Sequence, residues 1–239
     1  MQRLDKILSE AGVASRKELR NMIRAGRVCV DGAVAKSPED KYDETRVHIT
    51  VDGAAVARRR YVLLMLHKPA GYITATEDPV EKTVMELLPE EYRQLQLKPV
   101  GRLDKETEGL LLFTNDGDLA HRIISPKSEI WKTYLAEHEG YANEEDVQAF
   151  RAGIVLKDET ACLPAELQPL GPGKSLVKVR EGKYHQVRRM MASRGMHVNY
   201  LKRVAEGGIF LGELPVGQCI EVAEESLFMA DTGKNAQGI

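Results

Sequence analysis

The chain has 239 residues, of which 43% are hydrophobic and 29% charged, and its formal net charge is -2. This composition is typical of a globular protein with one large or two smaller cores, and it excludes a disordered or fibrous chain. Three scattered cysteines without a C-x-x-C pair, and no apolar run of signal-peptide or membrane-spanning length, argue against zinc, disulfides and membrane insertion, so we expect a cytoplasmic location.

Residues 1–57 have the pattern of a small α/β module. Helical periodicity covers Arg3–Ala11, and a capping-box pattern of Ser15 and Glu18 predicts a second helix that ends at Gly26. Short strands, each followed by an Asp-Gly turn, are predicted at Arg27–Val30 and Val47–Val51.

The rest of the chain predicts a larger domain at residues 61–231. Residues 58–60 form an Arg-Arg-Arg run, which is either the linker between the modules or an ordinary solvated charge cluster. We predict strands at Tyr61–His67, Gly109–Thr114, Lys132–His138, Leu176–Arg180 and Gly208–Leu211. We predict helices at Thr83–Leu88, Asp118–Ile124, Glu144–Arg151 and His185–Arg194.

Strands and helices of this domain do not alternate regularly. We therefore expect an α+β fold with a mixed, mainly antiparallel sheet flanked by helices, and not a doubly wound parallel sheet. The polar tail at residues 232–239 is expected to be disordered.

Positive charge is concentrated in two segments, although the chain as a whole is nearly neutral. The first 30 residues hold seven basic and three acidic residues, and four arginines recur at helical spacing along one stripe. Such a stripe suits a phosphate backbone, whereas an ordinary solvated face usually carries both signs. The candidate nucleic-acid contacts of this module are Arg3, Arg16, Lys17, Arg20, Arg24 and Arg27.

The second basic segment runs from residue 174 to residue 203. It holds nine basic residues and one acidic residue, so it can build a positive cleft on a neutral protein. Lys183 and Arg189, at the start of the predicted basic helix, are candidate RNA contacts, as is Lys132 at the start of its strand. The alternative is an exposed basic helix without a ligand.

Two residues stand out as candidates for chemistry. Asp104 lies in a Gly-flanked polar loop before an apolar strand, where a carboxylate can act as nucleophile or base, or simply cap a turn. Tyr134 can stack on a nucleobase, or can be an ordinary core or edge tyrosine. The six histidines show no metal-binding spacing, so no metal is expected.

Taken in order, the motifs of the chain resemble those of the pseudouridine synthases that modify ribosomal RNA. The N-terminal segment, from R-L-D-K-I-L-S-E-A-G to V-D-G, resembles an S4-type RNA-binding domain. The larger domain carries H-K-P-x-G-Y at 67–72, G-R-L-D-x-x-T-x-G-L-L at 101–111, T-N-D-G at 114–117, K-T-Y at 132–134 and E-G-x-Y-H-Q-V-R-R-M at 181–190.

The resemblance implies an isomerase that converts uridine to pseudouridine without a cofactor. It implies that Asp104 is the catalytic aspartate, that Tyr134 packs on the target base and that Arg188 pairs with Asp104. It also implies that Leu201 lines the pocket and that Arg102 helps to flip the nucleotide. Ribosomal RNA is the expected partner, and the family suggests a monomer.

Within this group, the chain is most similar to the ribosomal small subunit pseudouridine synthase A family, which suggests 16S rRNA as the substrate. The similarity rests on residues 76–79, on Thr83-Val84 and on Ser125-Pro126. Trp131 and the segment 204–208 depart from the common pattern. A 23S large-subunit synthase and a non-catalytic ribosome-assembly factor are the alternatives, and Asp104 as nucleophile or as base remains open.

Overall fold

The computed structural model describes residues 1–56, 61–93 and 95–229. The chain divides into two units, Met1–Arg60 and Tyr61–Ile239. The predicted linker at 58–60 and the predicted disordered tail at 232–239 lie outside the described residues. No helix in the described ranges is both long and apolar enough to cross a membrane.

The N-terminal unit packs two helices against short antiparallel strands. Its helices are α1 (Leu4–Glu10) and α2 (Arg16–Arg24). Its strands are β1 (Gln2–Arg3), β2 (Val28–Val30), β3 (Ala33–Val34), β4 (Lys41–Tyr42), β5 (Ile49–Val51) and β6 (Ala54–Ala55). One sheet has the order β3-β2-β5-β6, and β1 pairs with β4.

Local sequence explains why the two helices form and how they pack. Apolar residues at helical spacing, including Leu4, Leu8, Leu19 and Ile23, meet in one buried cluster. The predicted capping box is confirmed, because Ser15 caps α2 and exchanges hydrogen bonds with Glu18. Both predicted helices and both predicted strands are therefore present, with slightly shorter bounds.

The second unit is built on a large mixed sheet. Its strands are β7 (Leu63–Lys68), β8 (Lys98–Val100), β9 (Glu108–Thr114), β10 (Lys132–His138), β11 (Glu166–Gly171), β12 (Lys174–Val179), β13 (Val198–Glu206), β14 (Ile209–Phe210) and β15 (Cys219–Glu221). Its α-helices are α3 (Glu90–Arg93), α4 (Gly117–Ile124), α5 (Glu144–Ala152), α6 (Gln186–Ser193) and α7 (Glu224–Leu227). The predicted helix at Thr83–Leu88 is only a 3-10 turn, Val84–Leu87.

The main path of this sheet is β11-β12-β10-β13-β9-β7-β15. All pairings along it are antiparallel except that of β13 with β9, which is parallel. Two antiparallel halves of the sheet therefore meet where β13 pairs in parallel with β9, and we call this pairing the seam. The expectation of an α+β fold with a mixed, mainly antiparallel sheet is confirmed.

Both faces of the sheet are covered, and β7 shows this directly. Its residues alternate between two cores: Leu64 and Leu66 belong to one apolar cluster, and Leu63 and Met65 belong to the other. Strand β9 follows the same rule. A strand with core on both faces reads as a continuous apolar run, as predicted for this segment.

The seam depends on a glycine at its closest approach. Gly109 has a φ of 108°, and a Cβ atom there would lie 2.1 Å from the backbone oxygen of Arg203 in β13. A side chain at this position would force the two strands apart, because backbone atoms cannot rotate away. Gly109 thus permits the pairing that joins the two halves.

We expect Gly109→Ala to lower the free energy of unfolding by about 3 kcal/mol, because it combines backbone strain with steric overlap. Urea denaturation followed by the fluorescence of Trp131, the single tryptophan of the chain, measures this in the second unit. Gly117→Ala is the matched control, since a Cβ atom there meets nothing within 4 Å. Equal midpoints for the two variants would contradict the close approach.

Candidate active site

A pocket of about 380 Å³ opens beside the seam of the large sheet. Its wall combines the loop before β9, single residues of β10, β12 and β13, and the turn that leads into α6. The lining is formed by Ile73, Thr74, Arg102, Leu103, Asp104, Lys105, Thr107, Tyr134, Val179, Glu181, Gly182, Lys183, Tyr184, His185, Gln186, Val187 and Leu201. The pocket lies within the size range of small-ligand sites.

Asp104 lies in this pocket on a loop whose backbone is fixed from several sides. The hydroxyl of Thr74 accepts a hydrogen bond from the backbone N–H of Leu103 and donates one to its carbonyl. The backbone N–H of Thr107 donates to the Asp104 carbonyl over 3.0 Å. The carboxylate itself is about one-third exposed, so it can meet a ligand from a braced loop.

A buried lysine completes the support of the Asp104 loop. Lys68, at the end of β7, has no exposed surface, and its Nζ atom lies 2.9–3.2 Å from the carbonyl oxygens of Pro69, Asp104, Lys105 and Thr107. Three of these carbonyls belong to the loop itself. Burial lowers the pKa of Lys68 to about 8. Its role was not predicted, because a lysine that ends an apolar strand usually points to solvent.

Tyr134 and Leu201 form the apolar part of the pocket. Both side chains are buried, and β10 and β13 carry them beside each other in the sheet. Burial raises the pKa of the Tyr134 phenol, so its hydroxyl stays protonated at neutral pH. Tyr134 is directly opposite Arg203, which is fully buried, donates to the Leu110 carbonyl and lies 3.4 Å from Glu206.

His185 is the basic group that comes within ion-pair distance of the candidate carboxylate. Its Nε2 atom lies 3.7 Å from Oδ1 of Asp104. The residue has a left-handed backbone with a φ of 47°, an unusual conformation for a side chain other than glycine. Sequence reasoning missed this contact, although His185 belongs to a quoted motif.

Arg188 does not make the predicted pair with Asp104. Its guanidinium donates to the carbonyl of Val198 over 2.8 Å and to that of Glu106 over 3.5 Å. The pocket is lined by the turn before α6 and by the first two residues of the helix, Gln186 and Val187, whereas the Arg188 side chain is held by backbone carbonyls outside that lining. Arg188 therefore braces the backbone around the site.

The other basic candidates of this unit have different surroundings. Lys132, which we predicted as an RNA contact, is mostly buried and lies 3.8 Å from Glu206. Lys183 lines the pocket and pairs with Glu181 over 3.0 Å. Arg189 pairs with Asp158. Arg102 is exposed at the pocket and forms no hydrogen bond or ion pair with other described residues.

In the N-terminal unit, the predicted basic stripe is only partly available for an anion. Arg16, Lys17, Arg20 and Arg24 are exposed on or beside one face of α2. Arg3 instead bonds to Asp5 through two nitrogen atoms, and Arg27 bonds to Asp52 in the same way. These two arginines are neutralised within the unit, so the stripe reduces to the residues of α2.

Each of the two units of the chain matches a known protein family. The family described as RNA pseudouridylate synthase matches residues 62–193, and the S4 domain matches residues 2–47. The first match covers the Asp104 loop, Tyr134 and the turn before α6. The second covers both helices of the N-terminal unit.

Relatives that match nearly the whole chain are named as pseudouridine synthases. An uncharacterised RNA pseudouridine synthase of Bacillus subtilis is 39% identical over 95% of this chain and 97% of its own length. The ribosomal large subunit pseudouridine synthase B of the same organism is 36% identical, over 99% of this chain and 100% of its own. The ribosomal small subunit pseudouridine synthase A of Pseudomonas aeruginosa is 38% identical, over 90% and 94%.

A solved structure supports the same assignment. The crystal structure of a pseudouridylate synthase superposes with a TM-score of 0.67 at 30% sequence identity. The match covers 95% of this chain and 98% of that one. Fold and sequence thus agree over nearly the whole length.

Proposed function

The chain belongs to the RNA pseudouridylate synthase family and is an isomerase, and from that premise we propose that its substrate is a uridine in ribosomal RNA, with Asp104 as the catalytic residue. The observation that carries this proposal is the pocket itself. One cavity is lined by a carboxylate on a braced loop, a buried tyrosine and an apolar leucine. These groups suit an extruded pyrimidine.

The reaction fits a site made only of side chains. The bond between the sugar C1′ and the base N1 breaks, the base turns, and a bond between C1′ and C5 forms, while the C5 proton is lost and N1 is protonated. Substrate and product are isomers, so no electrons need to be supplied or removed. Asp104 can act as a nucleophile at C1′ or as a base toward a sugar proton.

The other pocket residues have separate proposed roles. Tyr134 packs on the uracil ring and Leu201 fills the space beside it, since both are buried apolar surfaces of one wall. Arg102 is exposed at the pocket and has no partner among the described residues, so it can enter the space that the flipped nucleotide leaves. Lys183 and Arg189 are proposed to contact RNA phosphates, for which each must first leave its carboxylate partner.

We assign substrate capture to residues 1–57 and the chemistry to residues 61–231, in an enzyme that acts as a monomer in the cytoplasm. The exposed basic residues of α2 support the first role. None of these four side chains forms an ion pair with another described residue, so they offer positive charge to a phosphate backbone.

We expect the double variant Arg20→Ala, Arg24→Ala to weaken RNA binding and to reduce the salt slope of log Kd by between about 1 and 2, because two phosphate contacts are lost. Filter binding at several salt concentrations measures both. Lys36→Ala with Lys41→Ala removes the same charge from exposed positions of the same unit outside α2. An unchanged slope in the α2 variant, or an equal change in both, would argue against the stripe.

The target is proposed to lie in 16S rRNA of the small subunit. The small-subunit motifs of the sequence favour it, whereas the relatives include both a small-subunit and a large-subunit enzyme. Purified enzyme incubated with protein-free 16S and 23S transcripts, followed by pseudouridine mapping, decides between them. Product only in 23S rRNA would transfer the proposal to the large subunit, and no product in either would refute an rRNA substrate in free form.

A further inference from the structure

Tyr184 presents a largely exposed aromatic ring at the active-site pocket. The residue lines the pocket wall, yet 76% of its surface is open to solvent. Large aromatic side chains gain most of their stabilisation from burial, so an exposed ring in the wall of a pocket has an apolar face that a ligand can cover. Neither the chemistry at Asp104 nor the uracil contact of Tyr134 uses this ring.

The ring is held in a defined orientation by stacking on its neighbour. The centroids of Tyr184 and His185 are 3.9 Å apart, and the ring planes differ by 14°. Adjacent side chains normally diverge in a strand or a helix. The left-handed backbone of His185, with a φ of 47°, brings the two rings parallel instead. One face of Tyr184 is thereby covered, and the other is free.

The backbone of this turn is fixed on both sides. The Arg189 guanidinium donates to the Tyr184 carbonyl over 3.3 Å. Gln186 accepts from the Lys183 backbone N–H over 3.0 Å and donates to Glu181 over 2.8 Å. His185 is also 3.7 Å from Asp104. The stacked pair therefore connects the pocket rim to the candidate carboxylate and is ordered before a ligand arrives.

We propose that the free face of Tyr184 stacks on the base next to the target uridine in the RNA strand. The inference rests on the proposed function, because it requires a uridine flipped into the pocket. Flipping separates the uridine from its neighbours, and a neighbouring base then loses a stacking partner. A preordered aromatic ring at the pocket mouth replaces that partner without sequence preference, since every base has a π-face.

Fluorescence of a base analogue tests the contact directly. The RNA fragment around the uridine mapped in the rRNA experiment is synthesised with 2-aminopurine on one side of it, and then on the other. We expect the wild-type enzyme to quench one of the two fragments. Tyr184→Ala should lose the quenching and bind RNA about tenfold more weakly, while Tyr184→Phe keeps both. Tyr141→Ala, at a tyrosine that is 74% exposed but does not line the pocket, should match the wild type.

A second experiment places an abasic site at the flanking position where 2-aminopurine fluorescence is quenched. Once the flanking base is absent, Tyr184→Ala should cause no further loss of affinity. Quenching that is unchanged in Tyr184→Ala, or an equal loss with and without the base, would overturn the inference while pseudouridine formation by the wild type leaves the proposed function standing. If the rRNA experiment yields no pseudouridine, the proposed function fails and this inference fails with it.

Discussion

Replacing Asp104 by asparagine is expected to lower the rate of pseudouridine formation by at least about 10³-fold, because asparagine is neither a nucleophile nor a base. The substitution preserves the size of the side chain. Loss of the negative charge also removes no contact to phosphate, so RNA affinity should stay within about threefold. Single-turnover assays with mass-labelled rRNA measure the rate, and filter binding measures the affinity.

Glu106→Gln is the matched control for this variant. Glu106 lies two residues further along the same loop, is exposed and does not line the pocket. The Glu106→Gln substitution removes one carboxylate from the loop and should leave the rate of pseudouridine formation within about threefold of the wild type. Full activity in Asp104→Asn would remove the aspartate from the mechanism, and equal losses in both variants would indicate a general effect of loop charge.

The strands that follow simple hydrophobic rules could be predicted, and the one that joins the sheet could not. Strands β7 and β9 contain long apolar runs bounded by turn residues. Strand β13 is the longest of the described strands, but its sequence contains Lys202, Arg203 and Glu206. Arg203 and Glu206 are both 1% exposed, because they pair with each other inside the fold. A charged pair that becomes buried by mutual neutralisation has no periodic apolar signature.

The same limit applies to the site. Asp104, Tyr134, Leu201 and Arg102 follow from motifs in chain order, and all four line the pocket. The structure places His185 near Asp104, a contact that depends on where α6 begins and on the backbone angle of His185. A left-handed residue before a helix redirects the side chains of the turn, and histidine adopts this conformation too rarely for the sequence alone to predict it, although it does so more often than most residues.

Buried charges at the seam also explain how two half-sheets make one site. Arg203, which pairs with Glu206, lies opposite Tyr134 on the adjacent strand, and Lys68 bonds to carbonyls of the Asp104 loop. Tyr134 therefore neighbours a buried cation of β13, Arg203, and the Asp104 loop contacts a buried cation of β7, Lys68. Such groups fix geometry, since a buried charge tolerates few arrangements of its partners. The resting shape of the pocket therefore depends on residues that no substrate touches.

Lys68→Met tests that dependence and should lower kcat by about 10²-fold. Without the ammonium group the loop is no longer held, and a shift of about 1 Å at Asp104 is enough to lower kcat by this amount. The unfolding free energy should fall by about 2–4 kcal/mol, since buried carbonyls lose their donor. KM should change little, because Lys68 does not line the pocket. Single-turnover kinetics and urea denaturation measure these effects.

Lys98→Met, at an exposed lysine of β8, is the control for lost charge and should change stability by less than about 0.5 kcal/mol. A pH series separates a positioning role from a purely structural one. Burial lowers the pKa of Lys68 to about 8, although the nearby carboxylates of Glu106, Glu108 and Asp104 oppose that shift. Above this pH the amine has one N–H donor fewer, so wild-type kcat should decline as pH rises through 8, and Lys68→Met should lack that decline.

The unfolding free energy and kcat should respond to rising pH in opposite directions. Between pH 8 and about 10.4, the unfolded chain retains a proton at Lys68 that the folded chain has released. The contribution of Lys68 to the unfolding free energy must therefore increase with pH across this window, while the loop loses a donor. A decline of kcat above pH 8 that persists in Lys68→Met would assign it to another group, and an unchanged kcat at pH 7 would show that the loop holds Asp104 without the lysine.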